Sequence, residues 1–459
     1  MITDLPVAIV TLGCAKNLVD SEAMVALLRA AGADLVSEPE DAEVIIVNTC
    51  AFIEAAKREA IETILDMADF KADKCRFLVA AGCLSQRYAR EIAAELPEVD
   101  AIVGTGSYYQ ITDVLERLSA GEAAEEPLIV VGSRENAIRH LDVARQPDTS
   151  GYAYIKIAEG CSSACAYCAI PGIRGRLRSR PIEALVSEAR RLIAGGYGEL
   201  VLIAQETTDY GRDLYGRPRL PDLLRALAAL PGDFALRLMY CCSDGLTDEL
   251  LEVMTTETKI LPYLDVPIQH ASPRILKAMR RRDNPQRLRE VLAEWRARIP
   301  NLTLRTTVML GFPGETETDF AELMDFIAEL RFDHLGTFTF CPEEGTPAAT
   351  MPDQVDPEVA AERERRVIEL QQDIVRSRWP EIIGSERRVL IEGIDEEGLF
   401  YLGHSEEQAP EVDPGVAVLC EQETEPGEQA TEPKVGKWYN VRIIAADFAE
   451  WTGVTIAEQ

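Results

Sequence analysis

The sequence predicts an α/β protein in three parts: an N-terminal Rossmann-like parallel-sheet domain, a partial (β/α)6 TIM-type barrel and a small C-terminal all-β barrel. Short β-branched runs alternate with helical patterns between residues 7 and 120, as in βα units on a parallel sheet. Six further units of the same kind run from Tyr152 to Phe340. Beyond Ile383, strand-like runs alternate with Gly, Pro and acidic turns, the pattern of a small all-β domain. At 459 residues the chain is too long for one ordinary core.

In order, the first series reads VAIVTLG, EVIIVNT, RFLVAAG and AIVGTG as strands, with LVDSEAMVALLRAAG, FIEAAKREAIETILDMA and LSQRYAREIAAEL as the helices between them. Cys14, Cys50 and Cys83 each fall just past the C-terminal end of one of these strands. Open α/β sheets bind ligands beyond the strand C-termini, so cysteines at equivalent places in successive units can converge. A single cysteine there would be read as a small buried apolar residue. Residues 121–146 lack strong periodicity and read as a linker between a domain at 5–120 and one at 147–378. The barrel strands are YAYIKIA, ELVLIAQ, FALRLMY, PYLDVP, TLRTTVML and HLGTFTF, and the loops after them would carry the chemistry. Cys161, Cys165 and Cys168 follow the first of these strands. A helix is expected from Pro357 to Arg378, with Asp356 as its N-cap. The last domain, 380–459, has strands in RRVLIEGI, GLFYLG, VAVLC, WYNVRIIAAD and WTGVTIA, and EQETEPGEQATEP is an acidic loop.

Composition narrows the function classes. The N-terminus has no basic leader and no apolar run near the roughly 18 residues a membrane span needs, so a cytoplasmic protein with no membrane partner is expected. Eleven cysteines in a reducing compartment point to metal or redox work rather than a disulfide framework. The formal charge of −31 repels nucleic acid and favours basic partners, while also serving solubility. From Ile383 onward 17 acidic side chains face only 5 basic ones. A tRNA site needs Lys and Arg against phosphate, so a basic protein is the better match.

The stretch GCSSACAYCAIPG offers three thiolates where a cubane iron-sulfur cluster normally takes four. One iron is then open, as catalytic metal sites require. A zinc knuckle would need a fourth ligand, but His140, His270, His334 and His404 stand in no zinc-like spacing. With Tyr167 before the third cysteine, the motif resembles the radical S-adenosylmethionine (SAM) superfamily. That resemblance implies that SAM chelates the open iron of a 4Fe-4S cluster on Cys161, Cys165 and Cys168, and that reduction yields methionine and a 5′-deoxyadenosyl radical. It also implies SAM contacts from GYGELVLIAQET, with Glu199 and Gln205, and from TVMLGFPGET, with Gly311 and Gly314. Read alone, these Gly and Pro residues are turn punctuation. Arg174, Arg176, Arg178 and Arg180 could contact an anionic group or form structural ion pairs.

Two cysteine triads in this order resemble the methylthiotransferase family, whose last domain is the TRAM barrel. The resemblance spans essentially the whole chain and implies a second 4Fe-4S cluster on Cys14, Cys50 and Cys83, where the transferred sulfur is held and methylated. TLGCAKNLVDSE, NTCAFIEAAKREAIE, AIPGIRGRLRSRPIE, YLDVPIQHASPRILKAMRR and PEEGTPAATMPDQV resemble the RimO branch. It implies methylthiolation of an aspartate β-carbon of small-subunit ribosomal protein number twelve, with two SAM consumed and a low-potential flavodoxin or ferredoxin as electron donor. The sulfur donor is left open. The tRNA-modifying MiaB branch and a non-catalytic iron-sulfur carrier are the alternatives. Cys75, Cys241, Cys242, Cys341 and Cys420 lie outside both triads and receive no role.

Overall fold

A computed structural model describes residues 2–122, 126–147, 151–419 and 433–456; Cys420 and the acidic loop up to residue 432 lie outside this set. The N-terminal strands are β1 (Pro6–Thr11), β2 (Asp34–Leu35), β3 (Val44–Thr49), β4 (Phe77–Gly82), β5 (Ala101–Gly104) and β6 (Leu128–Val130). They form one parallel sheet in the order β2-β1-β3-β4-β5-β6. Helices on both faces cover it, so β3 and β5 are buried along their whole length, which is why they read as continuous apolar runs. The chain leaves β1 for β2 on one side and returns to β3 on the other, so the strand order reverses between β1 and β3.

Residues 121–146 were expected to be irregular throughout. Leu128–Val130 instead adds the sixth strand, with Ala101 opposite Leu128. Three residues are too short for a visible period, and their partner lies 27 positions back. The stretch after it is tied down by burial: His140 Nε2 meets Asp20 at 2.6 Å, and Arg145 donates to Glu188 at 2.8 Å and also pairs with Glu22.

The second series forms a partial barrel. Its strands are β7 (Tyr152–Lys156), β10 (Glu199–Ile203), β11 (Ala235–Leu238), β12 (Tyr263–Asp265), β13 (Thr303–Leu310) and β14 (His334–Thr339), adjacent in chain order and parallel. A bridge from Leu236 to Ile260 joins its two halves. Within the first unit, β8 (Ala158–Glu159) and β9 (Arg178–Ser179) pair antiparallel and pinch off the loop between them. The expected helix after the barrel runs Pro357–Arg376, and Asp356 accepts a hydrogen bond from the Glu358 N–H at 2.8 Å. Glu317–Leu330 opens with a capping box between Thr316 and Asp319.

The C-terminal strands β15 (Glu386–Ile394), β16 (Phe400–Ser405), β17 (Gly415–Leu419), β18 (Trp438–Ala446) and β19 (Glu450–Thr455) close into a barrel in the order β15-β16-β17-β19-β18. Closure removes the exposed edges that such short strands would present. The segment between β16 and β17 enters the floor of the partial barrel, the end where its strands begin. There Glu411 accepts from the Tyr152 hydroxyl at 2.8 Å and Asp413 from the Tyr263 hydroxyl at 2.5 Å. Arg237 donates to the carbonyls of Ser405 and Glu406 at 3.1 and 3.0 Å. No helix among the described residues is long and apolar enough to cross a membrane.

Candidate active site between two cysteine triads

Cys14 stands at the N-cap of the helix Ala15–Ala30 (α1) after β1, Cys50 directly follows β3, and Cys83 opens the helix Cys83–Glu95 after β4. These strands are sheet neighbours, with Thr11 opposite Asn48 and Asn48 opposite Ala81. Neighbouring strands lie about 4.8 Å apart, so the three cysteines share one edge of the sheet. Cys14 and Cys50 flank the β1/β3 reversal, where a crevice opens for a ligand. Gly13 makes this approach possible. At φ +95° it adopts a left-handed backbone, and a Cβ on it would stand 2.8 Å from the Cys50 Cβ. Asn17 braces the group by donating to the carbonyls of Leu12 and Thr49 at 2.9 Å each.

Cys161, Cys165 and Cys168 lie in the loop pinched off by β8 and β9, past the C-terminal end of β7. Backbone bonds fix the loop: Cys161 N–H to Gly175 O at 3.1 Å, Ala166 N–H to Met279 O at 2.9 Å, and Cys168 N–H to Cys165 O at 3.2 Å. Gly160, at φ +76°, lies so close to the Arg176 carbonyl that a Cβ would be 2.4 Å from it. Tyr167 anchors the middle of the loop through its hydroxyl, 3.4 Å from Arg281.

Burial pushes the thiols of Cys83 and Cys168 up to about 12, offset beside Cys83 by the Arg174 guanidinium and reinforced beside Cys168 by Cys165 and Cys161. Burial likewise raises Cys50 and Cys161. Thiols held protonated this way are poor free nucleophiles, whereas iron deprotonates its thiol ligands outright. Among the described residues no set of three Cys, His, Asp or Glu side chains is drawn together around a single ion. A cubane takes one thiolate per iron, and three thiols with no histidine or carboxylate among them are the donor set such a cluster accepts.

Ion pairs and hydrogen bonds join the surroundings of the two triads from two sides. On one side Arg174, from the loop of the second triad, reaches Asp20 of α1 and Glu159 at 2.9 Å each and donates to Asn17. Lys156 Nζ meets Asp20 at 2.6 Å and also pairs with Glu159. On the other side Glu343, just past β14, meets Lys57 at 3.2 Å and Arg87 at 3.0 Å on the helices after β3 and β4. Two cations meet two carboxylates on the first side, and on the second Lys57 and Arg87 share Glu343 while Lys57 also pairs with Glu54 at 2.7 Å, so these charges are met by opposite ones.

Several expected contacts need revision. Glu199 is the first residue of β10, opposite Tyr152, and so lies at the floor. Its carboxylate meets Arg237 at 2.7 Å and His404 Nε2 at 3.0 Å, and these partners hold it down to about 2 against the burial that raises it. It fastens the C-terminal barrel and is withdrawn from the SAM set. Gln205, past the other end of β10, donates to Glu159 at 2.7 Å and has a buried Oε1 with no donor among the described residues. Gly311 packs against Ala360, where a Cβ would be 2.5 Å from the Ala360 Cβ, and Gly314 has a left-handed φ of +80°; both have structural reasons to be glycine. Arg174 and Arg180 are buried in internal ion pairs, the latter with Glu188 at 2.6 Å, and Arg178 turns back to the Arg176 carbonyl.

The sequence reading passed over two residues. Glu206 follows Gln205 beside Cys161, and burial raises its carboxyl to about 7 although the Thr208 hydroxyl donates to it. Lys16, two residues past Cys14, is buried with Nζ 2.8 Å from the centre of the Tyr240 ring. Among the remaining cysteines, Cys75 and Cys241 are packed in the cores, Cys242 Sγ lies 3.7 Å from Arg281, and Cys341 sits at the mouth near Glu343.

Three family models match the chain. An uncharacterized protein family, UPF0004, matches residues 6–104, the radical SAM superfamily residues 155–327, and the TRAM domain residues 383–456. Among curated proteins, the ribosomal protein uS12 methylthiotransferase RimO of Geobacter sulfurreducens is 47% identical over 90% of this chain and 92% of its own. The Heliobacterium modesticaldum protein of the same name is 44% identical over 100% and 96%, and that of Acetivibrio thermocellus 41% over 98% of each. Among solved structures, the radical SAM methyltransferase TsrM of Kitasatospora setae, with cobalamin and a [4Fe-4S] cluster bound, superposes with a TM-score of 0.59 at 14% identity, covering 76% of this chain and 74% of that one. At that identity the likeness concerns the fold.

Proposed function

Because this chain belongs to the family of ribosomal protein uS12 methylthiotransferases, we propose that it is a radical SAM methylthiotransferase that adds a methylthio group to the β-carbon of an aspartate of uS12. The observation that supports this reading is the pair of thiol triads, each just past strand C-termini, whose surroundings Arg174 joins through Asp20, Glu159 and Asn17. Cys161, Cys165 and Cys168 would hold one 4Fe-4S cluster, and Cys14, Cys50 and Cys83 a second. When bound, these clusters with SAM supply hydrogen abstraction and a methylated sulfur, which an unactivated C–H bond demands because side-chain bases cannot deprotonate it at neutral pH.

The protein's own part is to bind, orient and exclude water. Glu206, beside Cys161, and Gln205, whose buried Oε1 has no donor among the described residues, would receive the SAM ammonium. Arg174 holds the two triad loops in one register through Asp20, Glu159 and Asn17. The acidic excess of the C-terminal barrel supports a basic protein substrate over tRNA. A cytoplasmic setting and a low-potential flavodoxin or ferredoxin as reductant complete the reading.

The test is an anaerobic reaction of reconstituted protein with SAM, reductant and a sulfur source, offered uS12 and tRNA together and read by mass spectrometry. A methylthio gain on an aspartate of uS12 is expected, and a gain on a tRNA adenosine alone would overturn the reading. Cys165→Ala should lose SAM cleavage. Cys50→Ala should keep part of it while forming no methylthio product; wild-type product yield from that variant would sink the assignment of a second cluster.

A further inference from the structure

Among the described residues, the buried Lys16 beside the first triad forms no ion pair. Lys156 and Arg174 are each shared between Asp20 and Glu159, and Arg305 lies between Asp265 and Asp413 at 3.1 and 3.2 Å. Lys16 differs. Among the described residues its Nζ makes no hydrogen bond and no ion pair and rests on the face of Tyr240; Asp265, already engaged by Arg305 and the Tyr240 N–H, acts on it only through space. A bare ammonium in a buried setting is costly unless an anion meets it.

Its position is held from two sides. Lys16 is on the first turn of α1, so its backbone is set by the Cys14 loop. Tyr240, just past β11 at the barrel mouth, has a left-handed φ of +60° and donates its N–H to Asp265 at 2.9 Å. A non-glycine residue in that conformation is strained and persists only where its surroundings enforce it. The ring is thereby presented to the lysine, and the ammonium lies between the first triad and the barrel mouth, where the reacting carbon has to come.

We propose that Lys16 is the substrate-binding residue that receives the side-chain carboxylate of the aspartate to be modified, with Tyr240 as the positioning residue beneath it. The proposal rests on the functional reading above. It assigns the choice of an acidic over an amide side chain to this one pair, since an ammonium in a low-dielectric cleft pairs with a carboxylate far better than with a neutral amide.

The test uses the full-length reconstituted protein with Lys16→Met, which keeps the apolar contact with Tyr240, and Lys16→Arg, which keeps the charge. Each is assayed with uS12 and with a uS12 variant carrying Asn at the modified position. Iron content, SAM cleavage without uS12 and the KM for SAM are measured alongside. Lys16→Met should lower kcat/KM for uS12 by about 30-fold, as for loss of one partner of a buried charge pair, and should abolish the preference for Asp over Asn in binding. Iron content and the KM for SAM should stay at wild-type values, and Lys16→Arg should retain most of the preference. Wild-type discrimination in Lys16→Met overturns the proposal, as does a defect confined to iron content or to the KM for SAM. Affinities for the two uS12 forms, read by fluorescence anisotropy, decide the matter independently of turnover. A wild-type protein that prefers the Asp form yet transfers nothing would count against the catalytic reading and leave the Lys16 assignment standing.

Discussion

Replacing Arg237 with Met would show how firmly a buried charge fastens the C-terminal barrel to the floor of the partial barrel. Arg237 is fully buried and donates to both oxygens of Glu199, at 2.7 and 3.2 Å, and to the carbonyls of Ser405 and Glu406. Methionine removes all of these donors while filling similar space, and Glu199 then keeps His404 Nε2 at 3.0 Å. Breaking a buried ion pair from one side costs about 3–5 kcal/mol because the other charge is stranded. The surviving histidine places the loss at the low end, about 3 kcal/mol. A multidomain chain does not melt in one step, so the assay is hydrogen exchange at β15 and β16, whose opening should become about 150-fold more frequent. Arg237→Met combined with Glu199→Leu removes both charges and should recover most of the loss, since apolar replacements of such pairs are often neutral. A cost below about 1 kcal/mol for the single variant, or a double variant as damaged as the single, would refute the reasoning.

Gly13→Ala should disturb the first triad alone: its Cβ would stand 2.8 Å from that of Cys50 at a backbone angle that favours glycine, so iron per chain should fall by about half with SAM cleavage retained. Glu206→Gln should raise the KM for SAM about tenfold, the worth of one hydrogen bond to a charged group, at unchanged iron content. His404 is held above its ordinary 6.5: burial opposes its charge, but Glu199 and Glu392 outweigh it. A raised folded value contributes stability that is complete below 6.5 and lost as pH rises through that value. The urea midpoint of the C-terminal barrel should therefore fall on going alkaline through that window, and His404→Gln should flatten the fall.

Most strands were legible because parallel strands covered on both faces must be apolar along their length, and β3 and β10 are. The cysteines were legible for a related reason, since a residue just past a strand shares the level of its neighbours. Which end of a strand a carboxylate occupies was harder to read. Glu199 and Glu206 stand seven positions apart in one motif, and only the register of β10 against β7 puts the first at the floor and the second at the mouth. Nothing in the sequence singles out Lys16; its burial comes from docking α1 against the barrel, which no local pattern encodes. Leu128–Val130 escaped notice because a three-residue edge strand is defined by its partner alone.

The segment from Ser405 to Asp413 has a consequence for reactivity. Its backbone and carboxylates occupy the inner end of the barrel through Arg237, Tyr152 and Tyr263, leaving the mouth as the route to the reacting centre. A hydrogen-abstracting species made inside such a chamber is stopped from escaping through the back and from meeting bulk solvent there. Removing the last domain would strand the buried charges of Glu199 and Arg237 at the strand starts and loosen the packed floor, and SAM would then be consumed without a partner to modify.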